Sequence, residues 1–214
     1  MAIRILIVDD HPIVREGLIG LLKGAPDCKV IAEASEADEA LAKARKEKPD
    51  MILLDIALPG KSGFELLKQL HIEMPKIKVV VLSMYSETQY AIRCLKAGAK
   101  AYLTKRSAPK ELLNAITKVI AGGKYISAAL SELLAREIGF DATSEPHERL
   151  SDREFQVLCF LGQGMTVTQI SKALSISAST VNKYRSQILY KMNLHTTAQL
   201  IRYALDNNLT YPSE

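Results

Sequence analysis

Between Ile3 and Leu103 the chain alternates two kinds of hydrophobic pattern. Short, nearly unbroken runs of Ile, Val and Leu occupy residues 3–8, 28–32, 51–54, 77–82 and 101–103, as expected of strands covered on both faces. Between and after these runs, apolar residues recur at helical spacing. Ile13, Gly17, Leu18, Leu21 and Leu22 form one stripe, and Leu66, Leu67 and Leu70 another; Ala91, Ile92 and Leu95, then Leu112, Leu113, Ile116 and Ile120, repeat the logic. Residues 1–122 therefore predict an α/β fold of five βα units, a parallel sheet with helices on both faces. Pro12 opens the first helix, where a missing amide hydrogen costs little. Gly98 and Gly122-Gly123 follow the last two stripes, as residues that accept left-handed dihedrals at helix ends.

The pattern then changes. Residues 123–149 lose the strand signal: SAALSELLAREIG has helical spacing and DATSEPHER is polar and contains Pro146, which predicts a linker helix followed by a flexible hinge. From residue 150 to 214 the signals are all helical. Ser151 with Glu154, Thr166 with Gln169, and Thr196 with Gln199 have capping-box spacing, and a further helix is expected to start near Ser177. The prediction is an all-α, four-helix unit in which helices over about 167–174 and 178–192 flank a turn at Ser175-Ile176-Ser177, the spacing of a helix-turn-helix.

Composition narrows this picture only modestly. The 214 residues are long enough for two domains, and a net charge of +4 on 28 basic and 24 acidic residues is too mild to specify a polyanionic partner. Regional charge is more informative, because between Glu154 and Asp206 lie Lys172, Lys183, Arg185, Lys191 and Arg202 and no acidic residue. Such a segment can approach phosphates without repulsion, and DNA is the partner it suggests. On the helix over 178–192, Val181, Ile188 and Met192 share a packing side, whereas Ser179, Asn182, Lys183, Ser186 and Tyr190 occupy much of the other. The start MAIRILIVDD lacks the pattern of a secretory signal and no apolar run approaches a membrane span, so a cytoplasmic protein without membrane association is expected. Cys28, Cys94 and Cys159 are scattered, which suits reduced thiols rather than a disulfide framework or zinc site.

The candidate chemistry lies where the strands end. Asp9 and Asp10 follow the first run, Asp55 the third, Ser83 the fourth and Lys105 the fifth. In a parallel sheet these groups meet at the carboxyl edge, where open α/β folds place their ligands. Clustered carboxylates with a hydroxyl and an ammonium suit a divalent metal and a transferred phosphoryl group. Singly, each residue has an ordinary reading: aspartates cap turns, Ser83 would be a cap, Lys105 a solvated lysine and Tyr102 packing. Their common edge raises them together. His11 is read as a polar loop or capping group rather than a ligand.

DDHPIVREGL, LLDIALPGKSGFELL, VVVLS and AGAKAYLTK resemble the receiver domain of bacterial two-component response regulators. LSDREFQVL and QISKALSISASTVNKYRSQILYKM resemble the LuxR-type helix-turn-helix, and the combined order is similar to the NarL/FixJ subfamily. The resemblance spans nearly the whole chain and implies a flavodoxin-like, doubly wound receiver followed by a DNA-binding transcription regulator domain. It implies phosphorylation of Asp55 by a sensor histidine kinase and binding of Mg²⁺ by Asp10, Asp55, the main-chain carbonyl of Ala57 and, through water, Asp9. Ser83 and Lys105 are then expected to hold phosphoryl oxygens and Tyr102 to act as an aromatic switch that turns inward.

For the second domain the resemblance implies insertion of the 178–192 helix into the major groove of promoter DNA, with Asn182, Lys183 and Ser186 facing bases and Ser179, Thr180, Arg185 and Lys191 facing phosphates. Phosphorylation is expected to favour a homodimer, and no enzyme activity toward external substrates is expected. This chain departs from many relatives in having Asn182 in place of a basic residue, Tyr184 in place of histidine and Arg106 in place of proline. Two other readings remain open: a constitutive regulator whose receiver is only an interaction module, and a metal-dependent phosphatase using an aspartyl phosphate, although no cap or substrate domain is evident.

Overall fold

The computed structural model describes residues 2–25, 27–84, 87–139, 145–207 and 209. Its chain contacts divide it into two compact units, one ending at Ser131 and the other beginning at Glu132.

In the first unit the apolar runs form β1 (Ile3–Val8), β2 (Cys28–Ala34), β3 (Met51–Asp55), β4 (Lys78–Ser83) and β5 (Ala101–Thr104). The sheet is parallel with strand order β2-β1-β3-β4-β5, as the doubly wound reading requires. Every residue of β3 is buried, whereas β2 at the sheet edge is half-buried and takes up one irregularity in its register with β1 between Ile5 and Leu6. The helices between strands are α1 (Pro12–Lys23), α2 (Ala37–Glu47), α3 (Gly63–Glu73) and α4 (Glu87–Lys96), with α5 (Ala108–Ile120) after β5. One face of the sheet packs Ile5, Ile7, Leu53, Val80 and Leu103 against Leu18 and Leu22 of α1 and Leu112, Ile116 and Val119 of α5. Each fully buried aliphatic side chain of this kind contributes roughly 1.5–3 kcal/mol of hydrophobic stabilisation.

Besides Gly17, two larger residues of the expected stripes are exposed. Ile13 is 83% exposed and Leu113 41% exposed. The buried row of α1 runs through Val14, Leu18 and Leu22, and Ile13 lies about 100° round the helix from Val14. Leu113 is displaced from Leu112 by the same rotation. Gly98 and Gly122 have the expected positive φ, as does Gly60; three helix ends instead use Lys48, Ser175 and Asn193 at positive φ.

α6 (Ala128–Gly139) begins in the first unit and crosses the point of division. Part of the expected hinge, residues 141–144, lies outside the described residues; Pro146–Arg149 form one 3₁₀ turn. In the second unit, α7 (Asp152–Gly162), α8 (Val167–Ala173), α9 (Ala178–Lys191) and α10 (Thr197–Asp206) follow. Capping boxes are formed by Ser151 with Glu154, Thr166 with Gln169 and Thr196 with Gln199. α7 packs on α9 and α10, and α8 on α9, with Phe155, Leu158, Ile170, Val181, Ile188 and Leu200 buried. The turn between α8 and α9 closes with Ser175 in the left-handed region, donating its amide to the Lys172 carbonyl while Ile176 donates to Ser171. This is the hydrogen-bonding of a Schellman stop without its usual glycine.

Candidate functional site

The sheet changes winding direction between β1 and β3, since β2 lies to one side of β1 and β3, β4 and β5 to the other. Loops leaving neighbouring strands diverge at such a point and open a crevice at the carboxyl edge. Asp9 and Asp10 follow β1 and Asp55 ends β3, so local sequence and topology converge on one place.

Asp55 and Asp9 are each only 1% exposed. The Ala57 amide donates to Asp55 Oδ1 at 2.9 Å, and Lys105 Nζ donates to Asp55 Oδ2 at 2.6 Å. The same Nζ lies 2.6 Å from Asp9 Oδ2, while the His11 amide donates to Asp9 Oδ1 at 2.9 Å. One ammonium therefore bridges two buried carboxylates. Burial pushes the Asp55 carboxyl above its ordinary pKa; Lys105 pulls it down and Asp9 adds to the rise. Burial works against the charge on Lys105, but Asp55 and Asp9 more than offset it, so the lysine pKa is raised and the ammonium is retained.

Ligand atoms of Asp9, Asp10, His11 and Asp55 lie within 4.8 Å of one another. Asp9 Oδ2, which meets Lys105 Nζ, and Asp10 Oδ1 are buried atoms at the heart of this group. Three carboxylates converge here and one ammonium is shared between two of them; a hard cation taking oxygen ligands supplies the charge and coordination that remain. The donor set fits Mg²⁺. His11 Nδ1 lies 2.7 Å from Asp10 Oδ1. His11 occupies the N-cap position of α1, yet its side chain makes no cap hydrogen bond.

Ser83 is fully buried at the end of β4. Its carbonyl accepts from the Lys105 amide at 2.7 Å, which ties the β4 end to the residue bearing the ammonium. Tyr102 is paired with Val81 across β4 and β5 and is 0% exposed. Sequence predicted that it would turn inward; here it is already inside, held among the strands and helices that cover β5.

Three supporting groups escaped the sequence reading. Arg15 of α1 donates Nη1 to the Asp9 carbonyl at 2.7 Å and pairs Nε with Glu33 at 3.1 Å, pinning the turn that carries both aspartates. Ser62 and Glu65 form a capping box at the start of α3, a spacing legible by the rule that found the later three. A Cβ on Gly63 would come within 2.1 Å of the Asp55 carbonyl oxygen and 2.8 Å of Ile56 Cα. Only glycine allows α3 to begin against the back of Asp55.

The second candidate site is the outward face of α9. Asn182, Lys183 and Ser186 are exposed, and Arg185 is half-buried. Ser177 caps the helix by accepting from the Thr180 amide, and its hydroxyl also meets those of Ser179 and Thr180, each at 2.7 Å. Ser186 donates its hydroxyl to the Asn182 carbonyl at 3.1 Å. Lys191, also exposed, donates its Nζ to Glu154 Oε2 at 2.7 Å. That Glu154 oxygen also accepts from the Ser151 amide. Burial raises the Glu154 pKa, but Lys191 and Ser151 together hold it below the ordinary carboxylate range. One carboxylate thus caps α7 and anchors the end of α9.

Residues 5–117 match the response regulator receiver domain family, and residues 148–204 match bacterial regulatory proteins of the luxR family. The chain is 33% identical over 208 residues to the response regulator UvrY of Escherichia coli K12, covering 97% of this chain and 95% of UvrY. Among solved structures it resembles the two-component response regulator RcsB in complex with DNA, at TM-score 0.61 and 25% identity over 97% of this chain and 99% of that one. A second structure, of two RcsB dimers bound to two parallel DNAs, matches at TM-score 0.60 with the same identity and coverage.

Proposed function

This chain belongs to the response regulators, with a receiver domain joined to a luxR-family regulatory domain, and from that premise we propose that it is a DNA-binding transcription regulator switched by phosphorylation of Asp55. The observation that carries the reading is the cluster at the β1/β3 switch point, in which Lys105 bridges the buried Asp9 and Asp55 with Asp10 alongside.

In the proposed reaction an Asp55 carboxylate oxygen attacks the phosphorus of a phosphohistidine on a sensor kinase. An O–P bond forms, the P–N bond breaks, and the imidazole leaves and takes up a proton. Asp10, Asp55 and the carbonyl of Ala57 would hold Mg²⁺, with Asp9 assisting through water; when bound, the cation offsets charge on the phosphoryl oxygens. Lys105 supplies a fixed positive charge that needs little reorganisation, because its ammonium is already aimed at Asp55. The Ser83 hydroxyl holds a second phosphoryl oxygen. Drawing Lys105 and Ser83 toward the new dianion strains the β4 and β5 ends, and Tyr102, on β5 opposite Val81 of β4, passes that change on.

On the DNA side, Asn182, Lys183 and Ser186 face base edges, and Ser179, Thr180 and Arg185 face phosphates. Lys191 serves α9 chiefly as its anchor to Glu154 and is a secondary phosphate contact. RcsB, whose structures include dimers on DNA, supports a symmetric pair of half-sites for this chain. Residues 1–122 act as the receiver, 123–149 as the linker and 150–214 as the output domain.

The test is selection of bound fragments from a genomic pool, with and without Mg²⁺ and a small phosphodonor, while intact mass follows phosphorylation. One added phosphoryl group that is lost in Asp55→Ala, with fragment enrichment requiring both, is the expected result. Equal enrichment under all conditions favours a constitutive regulator. Stoichiometric phosphorylation without enrichment overturns the output assignment.

A further inference from the structure

Tyr190 is the most exposed large apolar residue among those described, at 88%. A lone exposed aromatic means little by itself. Its placement adds meaning, because Lys183, Ser186, Gln187 and Tyr190 are spaced by three, four and seven residues and line one groove along α9 together with Lys191. The groove lies on the acid-free helix and has an ammonium at each end. It is continuous with the face proposed above to enter the major groove.

The end of α9 is also held in rotation. Ile188 and Met192 are buried, and Lys191 is bonded to the nearly inaccessible Glu154. Tyr190 is therefore presented outward by a rigid helix end. Seven residues separate Lys183 from Tyr190, about 10 Å along the helix axis, and the major groove is about 12 Å wide. With Lys183 at the base edges, Tyr190 reaches the sugar-phosphate wall.

We infer that Tyr190 is a DNA-backbone contact: its hydroxyl donates to a phosphate oxygen at the groove edge while its ring lies along the adjoining sugar. This inference rests on the proposed docking of α9. A hydroxyl contact of this kind positions the helix without selecting sequence and without releasing a counterion, which separates it from Lys183, a base contact, and from Arg185, a charged one.

The experiment measures affinity of the full-length, phosphodonor-treated protein for a selected fragment and a scrambled duplex across a salt series. Tyr190→Phe, which keeps the ring, is expected to weaken both complexes about three- to tenfold, with the salt slope unchanged. Tyr190→Ala weakens them further. Arg185→Ala reduces the slope by about one, and Lys183→Ala lowers the preference for the selected fragment. Unchanged affinity in both Tyr190 variants, or a changed sequence preference, overturns the inference while the Lys183 and Arg185 effects leave α9 docking intact. If all four variants bind like the parent, it is the docking of α9 that fails.

Discussion

The two candidate sites are built on opposite principles. At the carboxyl edge of the sheet, Asp9, Asp55 and Ser83 are buried and already engaged with the half-buried Lys105. On α9, Asn182, Lys183, Ser186 and Tyr190 stand exposed on a helix whose opposite side is the core. A buried ionic cluster is sensitive to any change of charge, because little water is present to screen it. That suits a switch. An exposed polar face tolerates substitution without loss of fold and acts through the sum of many contacts. Substitutions in the first site should therefore change stability and signalling together, and those in the second should change affinity alone.

Lys105→Ala gives the largest expected effect. Removing the ammonium leaves two buried carboxylates without their cation, at a cost of about 3–5 kcal/mol, read by urea denaturation. A loss below about 1 kcal/mol would mean that the cluster is as well solvated as α9, and the contrast would collapse. Mg²⁺ provides the complementary test. At about 100 times its dissociation constant, it should stabilise the receiver by about 2.7 kcal/mol, and Asp10→Asn should remove that gain while leaving the apo stability little changed. A thermal midpoint indifferent to Mg²⁺ would count against the metal assignment.

Gly63→Ala comes next. The 2.1 Å approach to the Asp55 carbonyl requires backbone movement, costing roughly 1–3 kcal/mol, and phosphorylation should slow because the displaced residue is Asp55. Unaltered stability and rate would show that the α3 start yields easily.

Glu154 sharpens the comparison from inside the output unit, since it is buried where its neighbours on α9 are not. Its folded pKa lies below the ordinary value, so its stabilisation is present above the unfolded-state pKa and is lost as pH falls through the lowered folded-state value. Glu154→Gln should therefore be less stable than the parent by about 1 kcal/mol near neutrality, and the difference should shrink in acid. A difference constant with pH would assign the effect to packing. Smallest of all, Lys183→Ala should leave stability within about 0.5 kcal/mol of the parent in the same denaturation assay; a larger loss would show that the exposed face also supports the fold.

Much of this was legible along the chain because the signals are local. Strand runs, the three capping boxes of the output unit and the stops at Gly98 and Gly122 depend on a few neighbouring residues. The acidic pair and Asp55 were legible as a site because strand ends in a parallel sheet share one edge. The ends near Ser175 and Asn193 were legible as the limits of helical pattern, but the left-handed backbone of Lys48, Ser175 and Asn193 was not, because a search for glycine passes over such residues. Ile13 was assigned to the core because hydrophobicity marks a residue as apolar without fixing which side of the helix meets the sheet.

Sequence by itself determined the alternation of strand and helix, the change to an all-helical second half, the chemical inventory at the strand ends and the acid-free stretch containing α9. These follow from backbone propensity, periodicity and charge, which act over a few residues. Tertiary structure decided which groups are partners: Lys105 between Asp9 and Asp55, fifty residues from the latter; Arg15 on the Asp9 carbonyl; Gly63 beneath Asp55; Tyr102 already inside; and Lys191 on Glu154 of α7. Those pairings depend on where the chain returns in space, and burial then sets their strength by removing the water that would otherwise compete.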